Sequence, residues 1–420
     1  MCETRVPAKK YSLSADVYAP YFLSYCADSS RQLYLAKKHY VAVNQSQYCR
    51  TASMGEVVFK CESCGEGHTM NRSCKHRFCA RCGIVETYRW GEVLRGRLLS
   101  LSHCHITFTL PKDLRFLARC SPTEVYGAMF RSISALLQEW FLHKHGLKCG
   151  VVMVLHTSGS DLKYHPHIHC IVSCGGVKTD SETGEQRLVA LNDAYLCNHE
   201  FLGKQFKAKL SSNLRDLCVH ERLANGDGEV LSMSELEHEL SRVSGKKWIV
   251  GIEKGLSKVE QIVGYIGRYT KRACISEYKI VSIQDGRIKF KFNDYANTPR
   301  GAKPVVGLKE MSITGFLDAL LQHVPDKGFQ AVRYCGLYAN ASHKKLPASF
   351  FRAEPIEMAE LEAELLKGDV EVEQYEQYRQ NQRKLYGKDP FVCSCGTVMA
   401  FSHLRMEGKR FYGKVKTDSS

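Results

Sequence analysis

Three groups of residues have types and spacing that could do chemistry. The first is Cys61-x2-Cys64, then Cys74, then Cys79-x2-Cys82. Two CxxC hooks about fifteen residues apart predict a zinc site. Each hook presents two thiolates from one tight turn, and two hooks complete a tetrahedron. Cys61, Cys64, Cys79 and Cys82 are the expected ligands, with Cys74, Cys49, His68 and His76 as spare donors. That surplus leaves open a second metal or a different ligand set. Four protein ligands close the coordination sphere, so the expected role is structural rather than catalytic. Arg72, Lys75 and Arg77, with Arg50, Lys60 and Arg81, surround the cysteines with positive charge. Such a surface suits phosphate contacts; a basic solvated face is the plainer alternative.

The second group is His165-Pro166-His167-Ile168-His169. In a strand, alternate side chains share a face. His167 and His169 would then point one way, and Ile168, Cys170 and Val172 would point into a core. Two imidazoles so placed can chelate one divalent ion, although a lone HxH also occurs by chance. The pattern is not HExxH, so a zinc-protease helix is not indicated.

The third group is Tyr265 and Tyr269, four residues apart on a predicted helix. Ser257 to Glu260 has the form of a capping box, and Val259, Ile262, Val263 and Ile266 make one apolar face. Gln261 lies one turn before the tyrosines on the same side. Arg268, Lys271 and Arg272 surround the pair with positive charge. Taken alone, a YxxxY pair is better read as two tyrosines at the edge of a core. Its occurrence beside a zinc hook and an HxH strand in one basic chain suits metal-assisted transesterification of DNA.

Elements that would position these residues can be read along the chain. Residues 11–45 read as one or two helices, and a helix follows near Thr87 to Leu101. Strands are expected at Ile106 to Leu110, Val151 to His156 and His167 to Ser173, with a helix at Val125 to His143 between the first two. Residues 190–245 read as mainly helical, 246–273 as a short strand and a helix, and 275–310 as short strands. A helix begins at Phe316. The expected organisation is an N-terminal helical segment (1–45), a zinc-binding DNA-recognition module (46–95) and a catalytic domain (96–275). The catalytic domain would carry a helical insert at about 177–245. A C-terminal region (276–420) would be first β-rich and then helical, with an acidic helix at 354–376 and a basic tail.

Composition limits the partners. The chain has 420 residues and a net charge of +15, which points to a polyanion. The excess is uneven: Glu354 to Glu376 carry −8, leaving +23 for the rest. At 44% apolar content a sizeable core is expected. No apolar run reaches the ~20 residues that span a bilayer, and residues 1–10 lack the pattern of a signal peptide. A soluble, intracellular protein is therefore expected. Five of the nineteen cysteines fall between Cys61 and Cys82, which favours metal ligation over disulfides in a reducing compartment.

The order zinc module, Phe108-Thr109-Leu110-Pro111, His165 to His169, then Gly264-Tyr265-Ile266-Gly267-Arg268-Tyr269-Thr270-Lys271-Arg272 resembles the rolling-circle insertion-sequence transposases of the IS ninety-one type. These are two-tyrosine HUH endonucleases with an N-terminal zinc-binding domain. Cys49 to Ala52 with Gly55, Ser73-Cys74 with Arg77, Leu155-His156-Thr157, Gln322 to Pro325 and Arg333 to Tyr338 agree with the same family. The resemblance runs from about residue 30 to about residue 345. Two departures stand out. Ala80-Arg81 replaces the usual proline inside the second hook. Cys393-Ser394-Cys395-Gly396 resembles half of a zinc knuckle, but two cysteines with His403 nearby are not read as a second zinc site.

The resemblance implies an α+β fold: an HUH domain with a central antiparallel sheet flanked by helices, a zinc module before it and a mixed region after it. It implies that His167 and His169 hold Mg2+ or Mn2+, with a third ligand in Gln261 or His165. It implies that Tyr265 and Tyr269 cut and rejoin single-stranded DNA through a 5′-phosphotyrosine, at the element's ends and at a target site. Zn2+ would be structural. The location implied is the bacterial cytoplasm, on the nucleoid when bound to DNA. A replication initiator or relaxase would use the same chemistry on other DNA. A non-catalytic zinc-dependent DNA-binding protein would require the histidines and tyrosines to be incidental.

Overall fold

The computed structural model describes residues 11–28, 30, 35–192, 198–253, 274–295, 297–299, 302–351, 379–380, 383, 387, 389–406 and 409–411. It is α+β and divides into two compact units, Met1–Val41 with Gly83–Ala353, and Ala42–Cys82 with Glu354–Ser420. A zinc module ending at residue 95 and a separate region at 276–420 are what the sequence pattern predicts. The division observed here instead joins the cysteine-rich segment to the C-terminal segment.

The first unit is built on a five-stranded antiparallel sheet. Its strands are β1 (His103–Thr109), β2 (Gly150–Ser158), β3 (Tyr164–Ser173), β4 (Val250–Glu253) and β5 (Val332–Gly336), in the order β5-β2-β3-β1-β4. The period-2 pattern of these strands separates the two faces. Ile106, Phe108, Val151, Met153, Leu155, Ile168, Cys170 and Val172 share one face and are buried. Helices α1 (Pro122–His145), α2 (His199–Val219) and α3 (Met233–Ser244) supply the rest of that core, through Phe130, Leu137, Phe206, Leu210 and Leu236. Phe206 meets Phe108 edge-on, with ring centroids 5.2 Å apart. Residues 177–245, expected as a helical insert, pack into this core. They open with a hairpin, Gly175–Thr179 with Gln186–Ala190, and then supply two helices to the core layer.

The opposite face is apolar at one end, where Val152, Val154 and Ile171 pack with Leu94, Leu98 and Tyr338. Its other end carries the histidines. A separate antiparallel sheet of Ile280–Gln284, Arg287–Asp294 and Val305–Ser312 precedes the helix Ile313–Leu321, as the sequence pattern predicts.

In the second unit, Glu56–Lys60 pairs antiparallel with Gly67–Asn71 on one side and with Ala400–Met406 on the other. Lys409–Phe411 completes that sheet. The predicted helix with Tyr265 and Tyr269 and the acidic stretch 354–376 lie outside the described residues. Among the described residues, no helix is long and apolar enough to cross a membrane.

Candidate metal centres

Strand register brings the imidazoles together. His156 on β2 faces His167 on β3, and His169 faces Val154 on β2 and Thr107 on β1. His156, His167 and His169 each offer one ring nitrogen, and the three atoms lie within 4.8 Å of one another. Their rings are 4.5 to 5.2 Å apart, centroid to centroid.

The group brings in His156, a residue not among the third-ligand candidates expected from sequence, which were Gln261 and His165. Gln261 lies outside the described residues. The His165 ring lies 5.1 Å from the His167 ring, centroid to centroid, but is not part of the three-histidine group. Between His156↔His167 and Ser158↔Tyr164, β3 spends one residue more than β2, so the register shifts beside Pro166. A bulge there accommodates a proline in an inner strand. The His165 ring instead takes a hydrogen bond on Nδ1 from the Arg115 guanidinium at 2.6 Å. Its backbone carbonyl accepts from His167 Nδ1 at 2.6 Å. That bond leaves His167 Nε2 as the ligand atom.

His169 is oriented by a longer chain of contacts. Its Nδ1 lies 2.8 Å from His105 Nε2 and 3.2 Å from Thr107 Oγ1. His105 Nδ1 in turn lies 3.1 Å from Glu253 Oε2. One set of tautomers satisfies every link: His105 donates to Glu253, His169 donates to His105, and His169 Nε2 is left as the donor to a cation. The hydrogen bond from His105 holds the Glu253 carboxyl below its ordinary range. Burial pushes His167 down to about 4, and the His165 carbonyl only partly opposes it. Burial and the neighbouring imidazoles push His169 in the same direction. Both rings are therefore neutral near pH 7, the state a metal ligand requires. Three imidazoles on one sheet fit a divalent ion.

The cysteines form two groups, and each hook goes to a different one. Cys79 and Cys82 gather with Cys49 and Cys74, while Cys61 and Cys64 gather with Cys393 and Cys395. The predicted quartet of Cys61, Cys64, Cys79 and Cys82 is not assembled. The strand Glu56–Lys60 leads into the first hook. In the first group, Cys49 Sγ is 3.4 Å and Cys74 Sγ 3.6 Å from Cys82 Sγ. Backbone N–H groups of Cys74 and His76 point at Cys49 and Cys74 sulfurs, each at 3.4 Å. The Cys74 and Cys79 thiols donate to Cys82 and hold it far below the ordinary thiol range. Cys49 and Cys74 were only spare donors in the sequence reading, and His68 belongs to neither group. Arg72 and Lys75 are exposed, Arg77 is half-buried, and Arg81 Nη1 donates to the Cys49 carbonyl at 3.0 Å. Arg268, Lys271 and Arg272 lie outside the described residues.

A family model described as a putative transposase matches residues 150–345, and one described as a transposase zinc-binding domain matches residues 21–110. A putative transposase, y4qJ, of Sinorhizobium fredii (strain NBRC 101917 / NGR234) is 29% identical over 337 residues, spanning 78% of this chain and 80% of that protein. The transposase for insertion sequence element IS801 of Pseudomonas savastanoi pv. phaseolicola is 27% identical over 300 residues, spanning 70% and 68%. Among solved structures, a conjugative relaxase, TrwC, in complex with mutant oriT DNA is 15% identical and covers 41% of this chain and 68% of its own. Its TM-score is 0.22.

Proposed function

Since the chain belongs to the insertion-sequence transposases of the IS ninety-one type, we propose that it mobilises its element by cutting and rejoining single-stranded DNA through a tyrosine–DNA phosphodiester, in rolling-circle fashion. The observation that carries this reading is the convergence of His156, His167 and His169 on one end of the sheet. Mg2+ or Mn2+ held there would polarise the scissile phosphate and stabilise the charge that develops on its oxygens. Imidazole is softer than the ligands Mg2+ prefers, so Mn2+ is the better ion for assays.

The protein's own part is positioning and nucleophilic attack. The His165 carbonyl and the His105–Glu253 pair fix two of the three rings. Tyr265 or Tyr269 attacks phosphorus, its hydroxyl losing a proton as the P–O3′ bond breaks. A tyrosine near its reference pKa of ~10 needs nearby positive charge for this, which Arg268, Lys271 and Arg272 would supply. The products are a 5′-phosphotyrosine and a free 3′-OH. A 3′-OH attacking that linkage reverses the chemistry, so cutting and joining need no ATP. Two tyrosines suit two strand transfers, at the element's ends and at the target. The thiolate groups pin a basic module suited to contacts with the element's DNA.

The test uses end-labelled single-stranded oligonucleotides that include the element's ends, with Mn2+, on a denaturing gel. Wild type should give a metal-dependent, protease-sensitive slow band. Tyr265→Phe and Tyr269→Phe together should remove it. Retention of the adduct in the double variant would refute the tyrosine assignment. DNA binding with no adduct from any oligonucleotide would favour a non-catalytic DNA-binding protein.

A further inference from the structure

The matched zinc-binding domain ends at residue 110, and it contains only one of the two thiolate groups in full. We propose that Cys61, Cys64, Cys393 and Cys395 form a second, independent zinc site, which closes the cysteine-rich module with the C-terminal segment of the chain.

The two halves are built alike. Cys61-Glu62-Ser63-Cys64-Gly65 turns back on itself through Gly65 N–H to the Cys61 carbonyl at 2.9 Å, with Gly65 at φ +75°. Cys393-Ser394-Cys395-Gly396 does the same through Gly396 N–H to the Cys393 carbonyl at 2.9 Å, with Gly396 at φ +86°. Glycine is suited to both positions because a Cβ is strained at positive φ. The turns face each other sulfur to sulfur. Cys61 Sγ lies 3.5 Å from Cys395 Sγ, and Cys64 Sγ lies 3.4 Å from Cys393 Sγ. These separations far exceed a disulfide bond of about 2.05 Å. They approach the ~3.8 Å edge of a tetrahedron with ~2.3 Å metal–sulfur bonds.

The surroundings are organised for the same contact. Phe59 stacks edge-on against Phe391 with centroids 4.5 Å apart, and Met399 joins them beneath Cys61 and Cys393. Ser63 Oγ accepts from Thr397 Oγ1 at 3.0 Å, and Glu66 accepts from Ser394 Oγ at 2.8 Å. Glu66 Oε2 also lies 2.9 Å from Cys393 Sγ, so zinc would displace the proton that this thiol shares with the carboxylate. The strand Ala400–Met406 is paired along Glu56–Lys60 and keeps the two turns in register. Four soft thiolates select Zn2+ over harder divalent ions.

The ligand pairs are about 330 residues apart in sequence, with separations of 329 and 334 for the two facing sulfur pairs. The module is therefore complete only once the chain has been made as far as Cys395. This proposal is independent of the tyrosine chemistry and can fail without affecting it.

The experiment compares the full chain with a Cys393→Ser/Cys395→Ser variant, both prepared under reducing conditions. Zinc per chain is measured by elemental analysis, and native thiols are alkylated and mapped by mass spectrometry. The variant should hold one zinc fewer than wild type, a difference that zinc at the imidazoles does not alter. In wild type, Cys393 and Cys395 should resist alkylation until a strong chelator is added, although Cys64 and Cys395 are exposed. Equal zinc in the two proteins would overturn the proposal. So would ready alkylation of Cys393 and Cys395 in zinc-loaded wild type, a result that stands even if the variant does not fold.

Discussion

The imidazole cluster and the thiolate groups hold their donors together by different means. His156 and His167 sit opposite each other on two paired inner strands, and His169 is two residues further along. Their positions follow from hydrogen-bonded register and from a buried core on the other face of the sheet. The cysteines sit on short turns, and in one group the donors come from segments more than 300 residues apart. A sheet can hold its ligands ready without a cation, and three imidazoles leave coordination positions for substrate. Turns tied by thiolates depend on the cation for their rigidity, and four sulfurs leave no open position.

This contrast sets the order of expected effects. Zinc removal by a strong chelator should have the largest, because structural zinc contributes an apparent ~10–16 kcal/mol in small zinc modules. Hydrogen exchange should rise across Glu56–Lys60, Gly67–Asn71 and Ala400–Met406 while β2 and β3 stay protected. Equal deprotection of both units would mean that the sheet also depends on zinc. Next, His167→Ala should lower Mn2+-dependent cleavage by at least about 100-fold while the fold is kept, as seen by circular dichroism. An unfolded variant would show that the ring is structural.

A smaller loss is expected where a residue orients a ligand without touching the ion. His105→Ala and Glu253→Gln should weaken Mn2+ binding about 10- to 100-fold, the range for groups that buttress metal ligands. Direct titration of Mn2+ by electron paramagnetic resonance reads this without relying on activity. Unchanged binding in both variants would remove the relay from the account.

The smallest effect concerns pH. His323 is held near pKa 4 by burial, with hydrogen bonds to Thr157 Oγ1 at 3.0 Å and the Leu162 carbonyl at 3.2 Å. In the unfolded chain it titrates near ~6.5. The unfolded state therefore binds more protons between these values, and stability falls as pH drops from ~6.5 to ~4, levelling off below. This single group should cost about 2 kcal/mol at pH 5 relative to neutral pH. His323→Gln should flatten the urea midpoint against pH across that window. An unchanged slope would exclude His323 as its source.

The sequence showed most clearly what is local. A period of two in His167 to Val172 gave the strand, the face carrying the imidazoles and the buried face beneath. The pattern over Val151 to His156 gave the partner strand, and Leu155-His156-Thr157 was noticed there, but not as a source of a ligand. His156 comes beside His167 and His169 only through the β2–β3 register, which one strand's pattern does not contain. His165 was named as a possible third ligand; its ring lies near that of His167, but its Nδ1 is taken by the Arg115 guanidinium. The CxxC hooks were legible, but the pairing between hooks was not. Spacing alone favoured joining neighbours in sequence, whereas the Glu56–Lys60 strand and its pairing with Ala400–Met406 send Cys61 and Cys64 to the far end of the chain. The helices of 190–245 were read correctly as helices. Their burial against Phe108 depended on tertiary packing that amphipathic patterns leave open.

The central claim is that His156, and not His165, completes the cation site with His167 and His169. The most direct measurement is Mn2+ affinity, by electron paramagnetic resonance, in His156→Ala and His165→Ala, with single-strand cleavage followed in parallel. The account predicts that His156→Ala loses both Mn2+ binding and cleavage by about 100-fold or more. It predicts that His165→Ala, which keeps the backbone carbonyl facing His167, holds Mn2+ within a few-fold of wild type. Loss of Mn2+ in His165→Ala with normal binding in His156→Ala would contradict it.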